Sequence, residues 1–382
     1  MNSMLHAEST IIHMITNNPN TISRGSDDLT VVDFIIDIPS NKDIVILQLT
    51  DTQIIDASQA RSITRLDDEE KLYWAKGLTE LRCFQYLRYV IETVVPDLIL
   101  LTGDLVYGEF DDNGTSLTAL IEFMDGFGIP WAPVFGNHDN ESKLGVNWQS
   151  AQLSNASNCL FIQRSLTGNG NYTVGLRQNG QLKRAFFMLD SNSCNHTPVS
   201  TCKSSKTSRY GFGEDQIAWY TAVALAIRTS SPETKISFAF HTQLQIFADA
   251  FAKYGFTNQN TNVHPIKIDS HPNVEAGDFG YLGANLKNPW DSDHHVWNGL
   301  RALGVDSIFV GHEHCNSASV VYEGIRCQYG LKSSTYDRAN YCADGKIMSS
   351  YTEAGRPLVG GTVIPLAADG SLLTPYICYA NI

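Results

Sequence analysis

Five short segments of this chain carry side chains suited to binding metal ions. They are Asp51-Thr52-Gln53, Gly103-Asp104, Gly136-Asn137-His138-Asp139, His241, and Gly311-His312-Glu313-His314. Carboxylate, amide oxygen and imidazole together suit Fe, Zn and Mn. Two ions about 3.5–4 Å apart need ligands arriving from several sides and one carboxylate between them. His312 and His314 are two residues apart: on a strand they share a face, whereas on a loop they can diverge to different ions. Any one segment has an ordinary explanation, because a strand-end Asp is most often a turn or helix cap and a lone His a satisfied structural residue. Five in one chain are much harder to assign to chance.

Each segment follows an apolar run: residues 44–49, 98–101, 131–135, 235–240 and 307–310. Runs of this length that stop at polar or glycine residues read as buried parallel strands. Ligands in open α/β sheets bind beyond the carboxyl ends of such strands. Residues 71–95 are the strongest helix, with Leu72, Ala75, Leu78, Leu81, Leu87, Ile91 and Val94 at three- and four-residue spacing and Pro96 as its stop. Helix and flanking strands make a βαβ unit. Further helices are expected over 115–127, over 214–228 with Ile217, Ala218, Thr221 and Leu225 on one side, and over 293–303.

Residues 31–38 read as an edge strand, 140–182 as loops and short antiparallel strands including 172–176, and 185–189 as another strand. Residues 254–290 form a long polar insertion, a natural place for substrate selection. Its His264, His271 and Glu275, like His294 and His295, read as solvated or structural. With no repeat and no linker, one domain is expected: an N-terminal extension (1–42), a metal-site core (44–314) and a β-rich C-terminal part (318–382).

The 382 residues are 43% hydrophobic and 18% charged, enough for a sizeable core, and the net charge is -13. That charge argues against a nucleic-acid polymer or an acidic membrane surface as partner. It leaves room for a small anionic substrate, because bound metal supplies local positive charge. No apolar run is long enough for a transmembrane helix. The eight cysteines form no CxxC pair; Cys194/Cys202 and Cys315/Cys327 are spaced as candidate disulfides. Glycosylation acceptors stand at Asn113, Asn140, Asn155, Asn171 and Asn195. Together they suggest a secreted or lysosomal/vacuolar protein, although residues 1–20 show no clear leader. Walker A, GxSxG and HExxH patterns are absent.

The segments Asp51-Thr52-Gln53, Gly103-Asp104-Leu105-Val106-Tyr107, Gly136-Asn137-His138-Asp139, His241 and Gly311-His312-Glu313-His314 resemble the calcineurin-like metallophosphoesterase superfamily. Its pattern is D-x-H, GD, GNH(D/E), H and GHxH. The GDxxY form around Tyr107, the stretch Gly211 to Trp219 and His241-Thr242-Gln243-Leu244 are similar to single-domain purple acid phosphatases. The resemblance implies an α/β fold, a four-layer α/β/β/α sandwich of two mixed sheets. It implies hydrolysis of a small phosphate monoester by water activated on two metal ions, Fe(III) with Fe(II), Zn or Mn. Asp104 would bridge the ions, Asp51 and His314 would bind the first, and Asn137, His241 and His312 the second. His138 would protonate the leaving group, oriented by Asp139. Gln53 replaces the family's D-x-H histidine. Either Tyr107 supplies a tyrosinate in its place, or Tyr107 packs behind the site; Gln53 would then meet substrate or water. A phosphodiesterase of the same fold and a non-catalytic binding protein with a decayed site are the rival readings.

Overall fold

The computed structural model describes residues 20–24, 31–40, 42–56, 58–59, 78–192, 211–255, 266–283, 293–334, 352–353, 356–357 and 359–381. The strands are β1 Thr21–Arg24, β2 Phe34–Ile38, β3 Ile44–Leu49, β4 Leu98–Leu101, β5 Trp131–Pro133, β6 Tyr172–Gln178, β7 Gln181–Met188 and β8 Lys235–Ala239. They continue as β9 Ile266–Lys267, β10 Tyr281–Leu282, β11 Val305–Val310, β12 Ser319–Tyr322, β13 Ile325–Tyr329, β14 Thr352–Glu353, β15 Arg356–Pro357, β16 Gly360–Leu366 and β17 Tyr376–Tyr379. The helices are α1 Leu78–Val94, α2 Thr115–Asp125, α3 Gly145–Asn155, α4 Glu214–Ser230, α5 Ile246–Ala252 and α6 His294–Ala302.

Two mixed sheets carry the fold. One runs β1-β2-β6-β7-β8-β11-β13-β12 and the other β17-β16-β3-β4-β5. In the first, β7, β8, β11 and β13 are mutually parallel; in the second, β3, β4 and β5 are. Side chains of the larger sheet alternate between two cores. Phe34, Ile36, Phe186, Met188, Ala239 and Phe309 join the smaller sheet and the helices α1 and α2. Ile35, Ala185, Phe187, Phe238, Ile308 and Val310 join α4, α5 and α6. The period of two sets this division, since successive strand side chains point to opposite faces. The order is therefore helix, sheet, sheet, helix: the α/β/β/α sandwich. Each fully buried Leu or Phe in it contributes about 1.5–3 kcal/mol by leaving water.

Several expectations are corrected. The strand at 31–38 is not at an edge, because β1 pairs with it on one side and β6 on the other. Residues 34–38 thus belong to the larger sheet and not to an extension. The region 140–182 contains helix α3, which shows no apolar stripe because its buried face includes Gln149 and Ser150. Gln149 Nε2 donates to the Asp139 carbonyl at 2.9 Å, which holds a polar side chain on the buried face. Helix α4 buries Gln216, Tyr220, Ala224 and Ile227, while Leu225 of the expected face is 54% exposed. Gln216 is drawn inward by hydrogen bonds to Asn171 and the Asp190 carbonyl. Part of the polar insertion forms the β9–β10 hairpin. Strand β13 runs parallel to β11, not in a wholly antiparallel C-terminal sheet.

Cys327 is a buried free thiol, so the Cys315/Cys327 disulfide is not formed. Burial pushes that thiol's pKa well up. Of the glycosylation acceptors, Asn113 and Asn155 are exposed, but Asn140 and Asn171 are buried. The Asn171 amide bonds Thr167, Asp190 and Gln216, which closes it to a glycan. Cys194, Cys202, Cys342, Asn195, His264 and residues 71–77 lie outside the described residues. Among the described residues no helix is long and apolar enough to cross a membrane.

Candidate metal centre

The five strand ends do not come from one row of neighbours. β3, β4 and β5 of the smaller sheet lead to Asp51, Asp104 and Asn137, and β8 and β11 of the larger sheet lead to His241 and His312. The site lies where the carboxyl ends of two facing sheets meet. Cross-links hold the ends in register: Asp51 N donates to Gly103 O at 3.0 Å, Gln53 N to Asp104 O at 2.9 Å, and Gly311 N to His241 O at 3.0 Å. Four non-glycine residues here are left-handed: Asp51 (φ 52°), Gln53 (44°), Asp104 (52°) and His312 (73°). Each such conformation costs on the order of 1–2 kcal/mol. Strain of this kind persists where surrounding contacts over-determine the backbone, typically at functional sites.

Two glycines permit the close approach. A Cβ on Gly103 would stand 2.4 Å from His241 Nδ1, at a φ of +94°. A Cβ on Gly136 would stand 2.2 Å from Asp104 Oδ1.

The ligand-type atoms fall into two sets. In the first, His314 Nε2 lies 3.1 Å from Asp51 Oδ1 and 3.3 Å from Gln53 Nε2. In the second, Asn137 Oδ1 lies 3.1 Å from His241 Nε2 and 2.7 Å from His312 Nδ1. Asp104 touches both: Oδ2 accepts from Gln53 Nε2 at 3.2 Å, and Oδ1 is 3.4 Å from His241 Nε2. One ligand atom each from Asp51, Asp104 and His241 lie within 4.8 Å of one another.

Surrounding groups aim these atoms. Thr50 Oγ1 and the His312 N–H donate to Asp51 Oδ2, leaving Oδ1 toward His314. His241 Nδ1 donates to the Thr102 carbonyl at 2.8 Å, which turns Nε2 inward. The His138 N–H donates to Asp104 Oδ1 at 2.8 Å. Such outer contacts fix tautomer and orientation in metal sites. Lys332 Nζ, 3.5 Å from His314 Nδ1, had no signal in the sequence.

Charge follows the same logic. Burial opposes ionisation of Asp104, yet His241 and His138 hold its carboxyl well below the usual range. Burial likewise opposes a charge on Asp51, which His314 outweighs. Burial works against protonating His241, but Asp104 overrides it and raises the imidazole to about 9. Burial and the neighbouring His241 push His312 down to about 3. Gln53 Oε1 is buried with no hydrogen-bond partner among the described residues. An orphaned amide oxygen beside two buried carboxylates and three imidazoles fits a cation.

His138 differs from expectation. Asp139, the expected orienting group, accepts from the Gly136 N–H at 2.7 Å and the Val106 N–H at 3.0 Å. The carboxylate at the His138 ring is Glu141, with Oε2 2.8 Å from Nδ1. Asp139 instead holds the two ligand-bearing loops together. Tyr107 is buried, and its ring stacks on His138 at a centroid distance of 4.2 Å. His271 packs edge-on to Tyr254 and Glu275 pairs with Lys253. His294 and His295 are exposed on α6.

Facing sheets whose strand ends gather two carboxylates, an amide and three imidazoles define the class: an α/β sandwich with a candidate two-ion centre. The chain belongs to the calcineurin-like phosphoesterase family, whose model matches residues 44–316. It is similar to Phosphatase DCR2 of Saccharomyces cerevisiae, 22% identical over 60% of this chain and 38% of that protein. It is also similar to the Probable inactive purple acid phosphatase 28 of Arabidopsis thaliana, 45% identical over 17% of each chain. The chain therefore spans well under half the length of these two relatives. Among solved structures, a dimetal phosphatase from Danio rerio is 13% identical with a TM-score of 0.44, over 84% of this chain and 92% of that one.

Proposed function

We propose that this chain is a dinuclear metal-dependent phosphoesterase that hydrolyses small phosphate monoesters. The observation that carries this reading is Asp104, with one oxygen beside each ligand set. Asp51, Gln53 and His314 would hold one ion, with Tyr107 as an anionic ligand in place of the missing histidine. Asn137, His241 and His312 would hold the other, and Asp104 both. The phenolate favours Fe(III), paired with Fe(II), Zn or Mn. Bound ions would neutralise phosphate oxygens and activate water.

The chain's own residues do the rest. The buried carboxylates and imidazoles fix where phosphate oxygens sit, so positioning is supplied before the reaction. With His138 Nδ1 on Glu141, the proton to be moved is the one on Nε2. That proton goes to the leaving oxygen as the P–O bond breaks. A secreted or lysosomal/vacuolar location belongs to the same proposal, supported by the exposed acceptors Asn113 and Asn155.

The test is elemental analysis of the purified protein, with rates on 4-nitrophenyl phosphate and bis(4-nitrophenyl) phosphate. Two transition-metal ions per chain and faster monoester cleavage are expected. Faster diester cleavage would replace the monoester reading. No turnover and no bound metal would leave a binding protein, the reading that Gln53 at the histidine position favours.

A further inference from the structure

We propose that Glu141 is the positioning residue for the proton-donating His138, a role the sequence pattern gives to Asp139. This rests on the phosphoesterase reading. The local geometry accounts for the choice of carboxylate. Asp139–Glu141 form a 3-10 turn directly after His138, and the Glu141 N–H donates to the His138 carbonyl at 3.1 Å. In a 3-10 turn residues three apart eclipse, so position 141 returns over position 138. Position 139 points elsewhere, and its two oxygens accept the Gly136 and Val106 N–H groups.

The contact is sheltered but open to substrate on one side. The Glu141 side chain is 3% exposed and that of His138 is 13% exposed. Glu141 Oε2 lies 2.8 Å from His138 Nδ1, and Tyr107 stacks on the ring with 23° between planes. The Gly108 N–H adds a second bond to the His138 carbonyl at 3.1 Å. Ring face, ring edge and backbone are each held. Glu141 thereby fixes which nitrogen faces the leaving group. Its role in this proposal is exerted through the His138 ring.

The experiment compares metal-loaded wild type with Glu141→Gln and Glu141→Asp on two aryl monoesters. Phenyl phosphate has a leaving group that benefits from a proton; 2,4-dinitrophenyl phosphate does not. Glu141→Gln should lower kcat on phenyl phosphate by about 10²-fold, the order of a general-acid contribution. It should leave KM, bound metal and the dinitrophenyl rate near wild type, and Glu141→Asp should recover part of the loss. Equal loss on both esters, or loss of metal, would mean a structural role and overturn the assignment. A second readout needs no turnover. The hydrogen-bonded Nδ1–H proton of His138, assigned by its absence in His138→Ala, should vanish from the proton spectrum of Glu141→Ala. Its persistence would overturn the contact. An inactive wild type that still shows this signal would count against the phosphatase reading alone.

Discussion

Asp104 Oδ1 lies 3.4 Å from His241 Nε2, and both side chains are shut off from solvent. Each is held in its charged form by the other against the cost of burial. The pair links a strand end of one sheet to a strand end of the other, so the centre exists only when the two sheets have docked.

Asp104→Asn tests that link. The amide keeps the size of the carboxylate but loses its charge and one acceptor. Bound metal should fall from about two ions to one or fewer, and kcat should drop by about 10²–10³-fold or more. Elemental analysis and steady-state kinetics read both. A variant that keeps both ions would show that Asp104 does not span them.

The metal-free protein should lose stability as pH rises from neutral to alkaline. The His241 imidazole goes from an unfolded value of 6.5 to about 9 in the folded chain. The folded state then binds more protons than the unfolded state between those values, so stability falls as pH rises through that window. The contribution is whole below about pH 6.5 and gone above about pH 9. Urea unfolding of the apoprotein across pH 6–10 should show this slope, and His241→Asn should flatten it. An unchanged slope in the variant would place the titration on another group.

On the proposed reading, Tyr107 decides the metal type. If its phenolate binds Fe(III), the purified protein is coloured by charge transfer, and Tyr107→Phe should abolish the visible band. The phenyl ring keeps the stack on His138, so loss of colour would not follow from a displaced His138. A colourless wild type holding two zinc or manganese ions would remove Tyr107 from the ligand set and keep the rest of the centre.

The side chains that the structure gathers at the candidate centre, Asp51, Asp104, Asn137, His241, His312 and His314, can each be picked out in the sequence. Each follows an apolar run, and strand-end position is a local property. Two glycines are explained only in three dimensions, by the side chains that a Cβ at Gly103 or Gly136 would strike. Helix α3 was hidden because its buried Gln149 makes its contact by hydrogen bonding, not by apolar spacing. The inward turn of Gln216 on α4 escaped for the same reason.

By itself, the sequence determined the metal-capable side chains, their order, and the strands that carry them. These follow from composition and short-range spacing, which the chain expresses within a few residues. Tertiary structure alone decided that β3, β4 and β5 face β8 and β11 across two sheets, so that Asp104 can offer one oxygen to each ligand set. It also decided that Asn140 and Asn171 are buried. The physical reason is range. Sheet pairing and side-chain burial are set by contacts between residues far apart in the chain, and no local period encodes them.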